Sequence, residues 1–383
     1  MHQLVALDLA GGPDFVRALQ QVWYDGDAAL PIDQRLSTAA RAEVMRSMAA
    51  GAVIDTSGRS TLNESRPVEP GDALVVATSG STGEPKGVVL THNAVAASAD
   101  ATSKRLGVTD DDHWLACLPL SHVGGLSVIT RALHRGTALT VLPRFDADAV
   151  TQAAARGATL TSLVATALAR IDPSIFRCIV LGGGPPPDPR PANTVTTYGL
   201  TETGSGVVYD GVALDGVEIE IASDGEILLR CPMMLRTYRN GHSPIDSRGF
   251  LHTDDLGHWL PDGRLSVQGR RGDLIITGGE NVWPEIVEAT LALHPGVEEV
   301  GVVGVDDAQW GQAVAAWVVP SDPANPPSLD DLRGFAREHI AAFMAPRSLF
   351  IVSQLPRTNI GKLQRSRLRS LHGSAHGMPT HES

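Results

Sequence analysis

Between Asp72 and Tyr198, short apolar runs alternate with stretches of helical spacing, and this alternation constrains the fold more than any other feature of the chain. Ala73-Leu-Val-Val-Ala77, bounded by Gly71-Asp72, has the continuous apolar character of a strand buried on both faces. Thr137 to Leu142, Thr159 to Val164 and Arg177 to Leu181 repeat that character, while Ala94 to Leu106 and Asp146 to Arg156 have helical spacing. Strands that alternate with helices are joined by crossovers, so this stretch predicts a helix-covered, mixed or parallel sheet of the α/β class. From Gly211 to Gly269 the period changes. Val217-Glu-Ile-Glu-Ile221 alternates strictly, Glu226 to Arg230 is a second short strand, and Ser223-Asp-Gly225 and Pro261-Asp-Gly263 are turns. That pattern predicts a small antiparallel β unit. Beyond Gly269-Arg270 come a helix from Pro284 to about His294, strands over Gly301 to Val305 and Ala313 to Val319, and an amphipathic helix from Leu329 to Phe343. The predicted organisation is a large N-terminal domain over 1–269, a small α+β C-terminal domain over 270–372, and a disordered tail over 373–383. The first 70 residues show little periodicity.

A net charge of −12 without an extended basic block argues against nucleic acid as the main partner. The N-terminus, MHQLVALDLAGG, lacks a basic region followed by a long apolar stretch, and no apolar run approaches membrane-spanning length. Cys117, Cys178 and Cys231 sit in apolar contexts without metal-site spacing, as reduced core residues of a cytosolic, cytoplasmic protein do. Only three lysines occur, at 86, 104 and 362, among 31 basic residues. Two of them fall inside motifs. A compact, flexible ammonium serves where a guanidinium fork does not.

The first of these motifs is Thr78 to Gly87, TSGSTGEPKG, directly after the first buried strand. Gly80 and Gly83 allow close backbone approach, Thr78, Ser79, Ser81 and Thr82 supply hydroxyl donors, and Lys86 supplies a point charge. Together these form a cradle for phosphate oxygens. The spacing is not that of a Walker loop, because Lys86 follows Pro85 and precedes Gly87. A second motif, Tyr198-Gly-Leu-Thr-Glu-Thr-Gly204, puts the carboxylate of Glu202 in a polar turn just past a strand, which suits a magnesium ion that keeps most of its waters.

The decapeptide resembles the phosphate-binding loop of the adenylate-forming enzymes: acyl-CoA synthetases, firefly-type luciferases and peptide-synthetase adenylation domains. Other motifs resemble that family too, from Asp72 to Arg369. By this resemblance Tyr198 and Gly199 lie at the adenine, Thr201 contacts the α-phosphate and Glu202 binds Mg²⁺. Gly183 and Gly184, in Leu181-Gly-Gly-Gly-Pro185, border adenine and the acyl group. Leu251-His-Thr-Asp-Asp-Leu-Gly257 aligns Asp255 with the ribose-binding aspartate, with Asp254 where the family has glycine. Gly269-Arg-Arg-Gly-Asp273 resembles the interdomain motif: Arg270 is the ribose or phosphate contact, and Gly272 with Asp273 takes the hinge position. Pro356-Arg-Thr-Asn-Ile-Gly-Lys362 resembles the segment whose lysine serves adenylation. Leu118-Pro-Leu-Ser-His122 resembles an acyl-pocket motif, which makes His122 a substrate contact. Ser162, Gly204, Ser205 and Gly206 are further pocket candidates by position.

The resemblance implies a catalytic set of Lys362, Thr201, Glu202, His122 and Lys86, with ATP, Mg²⁺ and coenzyme A as cofactors or co-substrates. The partners implied are a small carboxylic acid, ATP and CoA, and a homodimer is open. The short N-terminal region, with TSLVATALAR (Thr161 to Arg170), LGGGPPP (Leu181 to Pro187) and the stretch from Tyr198 to Val217, resembles the o-succinylbenzoate–CoA ligase branch of menaquinone biosynthesis. Three other readings stay open at this point. One is a CoA ligase for another aryl or short-chain acid. Another is a stand-alone adenylation domain loading a carrier protein, although no amine-holding aspartate is evident near His122. The third is a non-catalytic nucleotide-binding relative, against which Lys86, Glu202, Asp255 and Lys362 argue.

Overall fold

The computed structural model describes residues 2–63, 65–79, 85–184, 186–357 and 363–375. They fall into two compact units, Met1–Thr253 with Trp259–Ser266, and Asp254–His258 with Val267–Ser383.

In the first unit, strand Asp72–Ser79 is antiparallel to Pro85–Thr91, with Thr78 opposite Lys86. On its other side it joins strand Ala28–Pro31, and the sheet continues through Leu4–Leu7, Ala52–Asp55 and Gly58–Thr61, while Thr237–Tyr238 closes the opposite edge. Leu4–Leu7 runs parallel to both Ala28–Pro31 and Ala52–Asp55, and Ala28–Pro31 runs parallel to Asp72–Ser79, while Ala52–Asp55 is antiparallel to Gly58–Thr61. These N-terminal strands escape sequence reading because they are only four residues long. Leu4–Leu7 and Ala28–Pro31 are buried throughout, so neither alternates.

A second seven-stranded sheet runs Val212–Ala213, Ser205–Tyr209, Thr194–Leu200, Cys178–Leu181, Leu160–Leu163, His113–Ala116 and Ala138–Val141. Its middle strands are parallel and its first three are antiparallel. The expected α/β architecture is present. Helix His92–Leu106 begins where Thr91 Oγ1 accepts a hydrogen bond from Ala94 N (3.1 Å), and it stops at Gly107 in the left-handed conformation. Helix Val123–Arg135 was not predicted. The Gly124-Gly125 pair disfavours a helix locally, but residues 125–132 are all buried, and packing overrides propensity. The expected antiparallel region is a four-stranded sheet of Glu218–Ile221, Glu226–Arg230, Leu251–Trp259 and Leu265–Arg270. All three cysteines are buried and unpaired.

Asp112 fastens the start of strand His113–Ala116. Its carboxylate accepts from Arg177 Nε (2.9 Å) and Nη2 (2.7 Å), Thr109 N (2.9 Å) and Thr159 Oγ1 (2.8 Å). Burial alone would push this carboxyl up. The bonds from Arg177, Thr109 and Thr159 overrule it and hold the group below the usual carboxylate range. Its contribution to stability is therefore present above the unfolded-state value and is lost as pH falls through the folded-state one. Asp112→Asn is expected to cost about 1–3 kcal/mol at neutral pH, less than a fully buried pair because Arg177 keeps much of its surface in water. Urea unfolding at neutral and at acid pH checks this: the gap between variant and wild type should shrink as the solution is acidified.

In the second unit, strands Glu280–Val282, Ile275–Thr277, Gly311–Pro320 and Val297–Asp307 lie in that order, and Ser348–Ile351 pairs in parallel with Gly311–Pro320. Alternate residues serve two cores. Val302, Val314, Ala316 and Val318 pack with Val287 and Leu291 of helix Pro284–Leu291 and with Leu332 and Ala336 of helix Leu329–His339. Val303, Ala315 and Trp317 pack with Leu368 of helix Arg365–Ala375. That last helix includes residues 373–375, which the sequence reading assigned to the tail. Its apolar signal, Leu368 and Leu371, spans a single turn and is too short to be read as a helix.

Candidate active site

The phosphate-loop candidates Gly80, Ser81, Thr82 and Gly83 lie outside the described residues, as does Lys362, and the side chain of Ser79 is likewise undescribed. The two strands that carry the loop fix its ends: Thr78 Oγ1 donates to the carbonyl of Lys86 (3.3 Å). Lys86 Nζ stands over the ring of Tyr238, 5.4 Å from its centroid. The Tyr238 hydroxyl donates to Glu202 Oε1 (2.8 Å). Lys86 and Glu202, distant in sequence, are thus joined through an aromatic residue that no motif had indicated.

Glu202 sits on a short turn, Thr201–Thr203, built by its neighbours. Thr203 is fully buried. Its Oγ1 accepts from Leu200 N (3.0 Å) and donates to Ser205 O (2.8 Å), which leaves Thr201 and Glu202 on the outside of the turn. Gly204 ends it at φ 66°, a left-handed conformation that suits glycine. Gly199 answers a packing need: a Cβ there would lie 2.2 Å from Ser205 O in the hairpin of Thr194–Leu200 with Ser205–Tyr209. Tyr198, on the same strand, is half-buried, and Gly206 faces Thr197 across the hairpin. Gly183 and Gly184 follow the end of strand Cys178–Leu181 and are exposed.

One carboxylate suffices for magnesium when phosphate oxygens and waters complete the octahedron. Among the described residues no three metal-binding side chains converge, and Glu202, oriented by Tyr238, fits a metal shared with a nucleotide.

Behind Ser205 lies Arg131, on helix Val123–Arg135 and only 1% exposed. Its Nη2 donates to Ser205 Oγ and to the Tyr209 hydroxyl (3.4 Å). Its Nε and Nη1 have no hydrogen-bond partner, and no carboxylate pairs with it among the described residues. A buried guanidinium in this state costs several kcal/mol. Ser205 Oγ in turn donates to Ser127 Oγ (3.4 Å), and Ser127 lines an apolar cavity with Leu90, Val95, Leu126 and Gly204. Ser162, on strand Leu160–Leu163, is buried with its hydroxyl unpartnered. The clue to Arg131 in the sequence is a lone arginine inside the apolar run Gly-Leu-Ser-Val-Ile-Thr-Arg-Ala-Leu133. His122 precedes the same helix, where Leu126 N donates to its carbonyl (2.9 Å). Its ring meets Arg35 and Asp33 of the loop after strand Ala28–Pro31.

In the second unit, Asp255 is buried and its Oδ1 lies 3.1 Å from Arg270 Nε. Asp254 takes φ 58°, so the chain keeps a left-handed backbone where the family has glycine. Gly272 and Asp273, the hinge candidates, lie on the turn Arg271–Asp273 and are tied to helix Arg365–Ala375. Arg369 Nη2 donates to Gly272 O (3.1 Å), and Arg365 Nη1 lies 3.3 Å from Asp273 Oδ2. Arg365 also bonds Glu288 (2.7 Å) and Glu285 (3.0 Å). Burial pushes both glutamates up despite that charge. The third lysine, Lys104, forms an exposed pair with Asp215.

The two seven-stranded sheets, with the Thr78 to Gly87 motif between antiparallel strands and the Glu202 turn joined to Lys86 through Tyr238, are those of an adenylate-forming enzyme. The chain belongs to the AMP-binding enzyme family: that family's model matches residues 58–238, and the model of its C-terminal domain matches residues 286–362. The chain is 37% identical over 337 residues to the 2-succinylbenzoate–CoA ligase of Bacillus cereus (strain Q1), covering 78% of this chain and 69% of the relative. The Bacillus mycoides (strain KBAB4) protein of the same name is also 37% identical, over 338 residues, with the same coverage. Among solved structures, o-succinylbenzoate CoA synthetase from Bacillus subtilis in complex with its acyl-adenylate intermediate has a TM-score of 0.86 at 31% identity, covering 96% of this chain and 88% of that one. The same enzyme with ATP and magnesium ion has a TM-score of 0.85 at 31% identity, covering 96% and 89%.

Proposed function

We propose that this chain is an AMP-forming acid–CoA ligase that converts o-succinylbenzoate to its CoA thioester, the menaquinone-pathway reaction, in the cytosol. The named relatives support the reaction, and the observation that carries the substrate is Arg131. o-Succinylbenzoate has two carboxylates, one on the succinyl arm and one on the ring. Adenylation consumes the first. The second enters the site charged and needs a buried cation, and Arg131, whose Nη2 bonds Ser205, has its other two guanidinium nitrogens unpartnered among the described residues. His122, Ser162, Gly204, Ser205 and Gly206 line the rest of the acid's site in this reading.

The succinyl carboxylate attacks the α-phosphorus of ATP, a new C–O–P linkage forms, and pyrophosphate leaves with the electron pair of the broken P–O bond. Such transfers depend on positioning and on stabilising charge spread over the phosphoryl oxygens. Thr78, Lys86 and the loop between them hold the β- and γ-phosphates, Thr201 bonds the α-phosphate, and Gly183, Gly184 and Tyr198 border the adenine. Glu202, held by Tyr238, carries the magnesium, which when bound offsets phosphate charge. Asp255 accepts the ribose hydroxyls, Arg270 pairs with it, and Lys362 donates to the phosphoryl oxygens. The CoA thiolate then attacks the acyl carbon and releases AMP. Gly272 and Asp273 serve as the hinge between the two half-reactions.

Pyrophosphate release with Mg-ATP tests the proposal, using o-succinylbenzoate, benzoate, a medium-chain fatty acid and mixed amino acids, each with and without CoA. The expected result is turnover confined to o-succinylbenzoate, with a CoA thioester formed. Turnover on another acid alone refutes the substrate and keeps the class.

A further inference from the structure

The loop after strand Ala28–Pro31, in the part of the chain with the weakest sequence signal, reaches the ring of His122. Asp33 and Arg35 form a closed pair there. Arg35 Nε donates to Asp33 Oδ1 (2.8 Å), Arg35 Nη2 to Asp33 Oδ2 (2.6 Å), and the Arg35 backbone N to Oδ1 (3.0 Å). The Asp33 side chain is 9% exposed. Burial alone would push its carboxyl up, and the hydrogen bonds and charge of Arg35 reverse this and hold it far below the usual carboxylate range. The same Arg35 Nη2 lies 3.3 Å from His122 Nε2, and Asp33 Oδ2 lies 3.7 Å from it.

A guanidinium has five donors and no acceptor. For Arg35 Nη2 to bond Nε2, that nitrogen must offer its lone pair, so the proton of the neutral imidazole sits on Nδ1. His122 precedes its helix without capping it through the side chain, and Nδ1 has no partner among the described residues. We propose that Arg35, clamped by Asp33, is a positioning residue. It holds His122 as the Nδ1–H tautomer, so that His122 presents a hydrogen-bond donor to an oxygen of the carboxylic acid substrate. The inference rests on the reading of His122 as an acid contact. It gives the N-terminal segment a task at the acyl site: the tautomer of a ring on one element is set by a charge on another.

The test is an ¹⁵N–¹H correlation spectrum of the histidine-labelled full chain, with His122→Asn identifying the His122 signals among the 13 histidines. Wild type is expected to show His122 as Nδ1–H. Arg35→Leu should move it to Nε2–H, while Arg35→Lys, which still supplies a donor, should keep Nδ1–H. In steady-state assays Arg35→Leu should raise KM for o-succinylbenzoate about tenfold, the worth of one charge-assisted hydrogen bond, with KM for ATP unchanged. An Nε2–H signal in wild type, or a signal that ignores Arg35→Leu, overturns the proposal. The contact on which it rests is read separately: an unchanged acid KM in His122→Asn refutes the contact, whatever the tautomer.

Discussion

Lys362→Ala is expected to lower pyrophosphate release about 10²- to 10³-fold, the cost of removing one donor aimed at charge that develops in the transition state. The lysine lies in Pro-Arg-Thr-Asn-Ile-Gly-Lys362, outside the described residues, and the described residues on either side are bonded to one another. Arg357 and Leu363 form a β-bridge, and Gln364 N donates to Pro356 O (2.8 Å). Beyond the bridge, Arg365 is fixed by Glu285, Glu288 and Asp273. An alanine at 362 leaves these anchors intact, so the loss should be chemical. Thioester formation from supplied acyl-adenylate and CoA should stay within about threefold of wild type, because no bond to phosphorus forms or breaks in that step. Measuring both half-reactions on one preparation decides the matter, and equal losses in the two sink the role assigned to Lys362.

Arg131→Leu is expected to change activity and stability in opposite directions. Without the guanidinium, the ring carboxylate of o-succinylbenzoate enters a pocket with no compensating charge. kcat/KM for that acid should then fall about 10²- to 10³-fold, as when one partner of a buried charge pair is removed. The free protein meanwhile loses a buried cation that has no carboxylate partner among the described residues and gains an apolar side chain beside Trp114. Its urea midpoint should therefore hold or rise, since well-packed apolar residues replace buried charges at no net cost. A monocarboxylate lacking the ring acid should lose far less than the diacid. If activity falls for both acids alike and the midpoint falls as well, Arg131 is a structural residue and the substrate assignment loses its support.

The reaction class was legible because its residues come in short, contiguous motifs. Thr78 to Gly87 brings its glycines, hydroxyls and lysine within one loop, and Tyr198 to Gly204 places the carboxylate one residue from Thr203, which shapes the turn. Longer elements were legible for the same reason: helix His92–Leu106 carries its own start signal in Thr91 and its stop in Gly107. The N-terminal strands were not, because a four-residue apolar run such as Leu4–Leu7 has no period to read and pairs with segments far along the chain.

The sequence alone therefore determined the family, the alternation of strands and helices from Asp72 onward, and the residue types of the Thr78 to Gly87 and Tyr198 to Gly204 motifs, all of which arise from residues close together in the chain. Tertiary structure alone decided which distant side chains meet: Tyr238 between Lys86 and Glu202, Arg35 against His122, and Arg131 behind Ser205 with no counter-ion among the described residues. A charge's meaning depends on its burial and its partners. Both are set by long-range packing, and no local pattern of residue types encodes them.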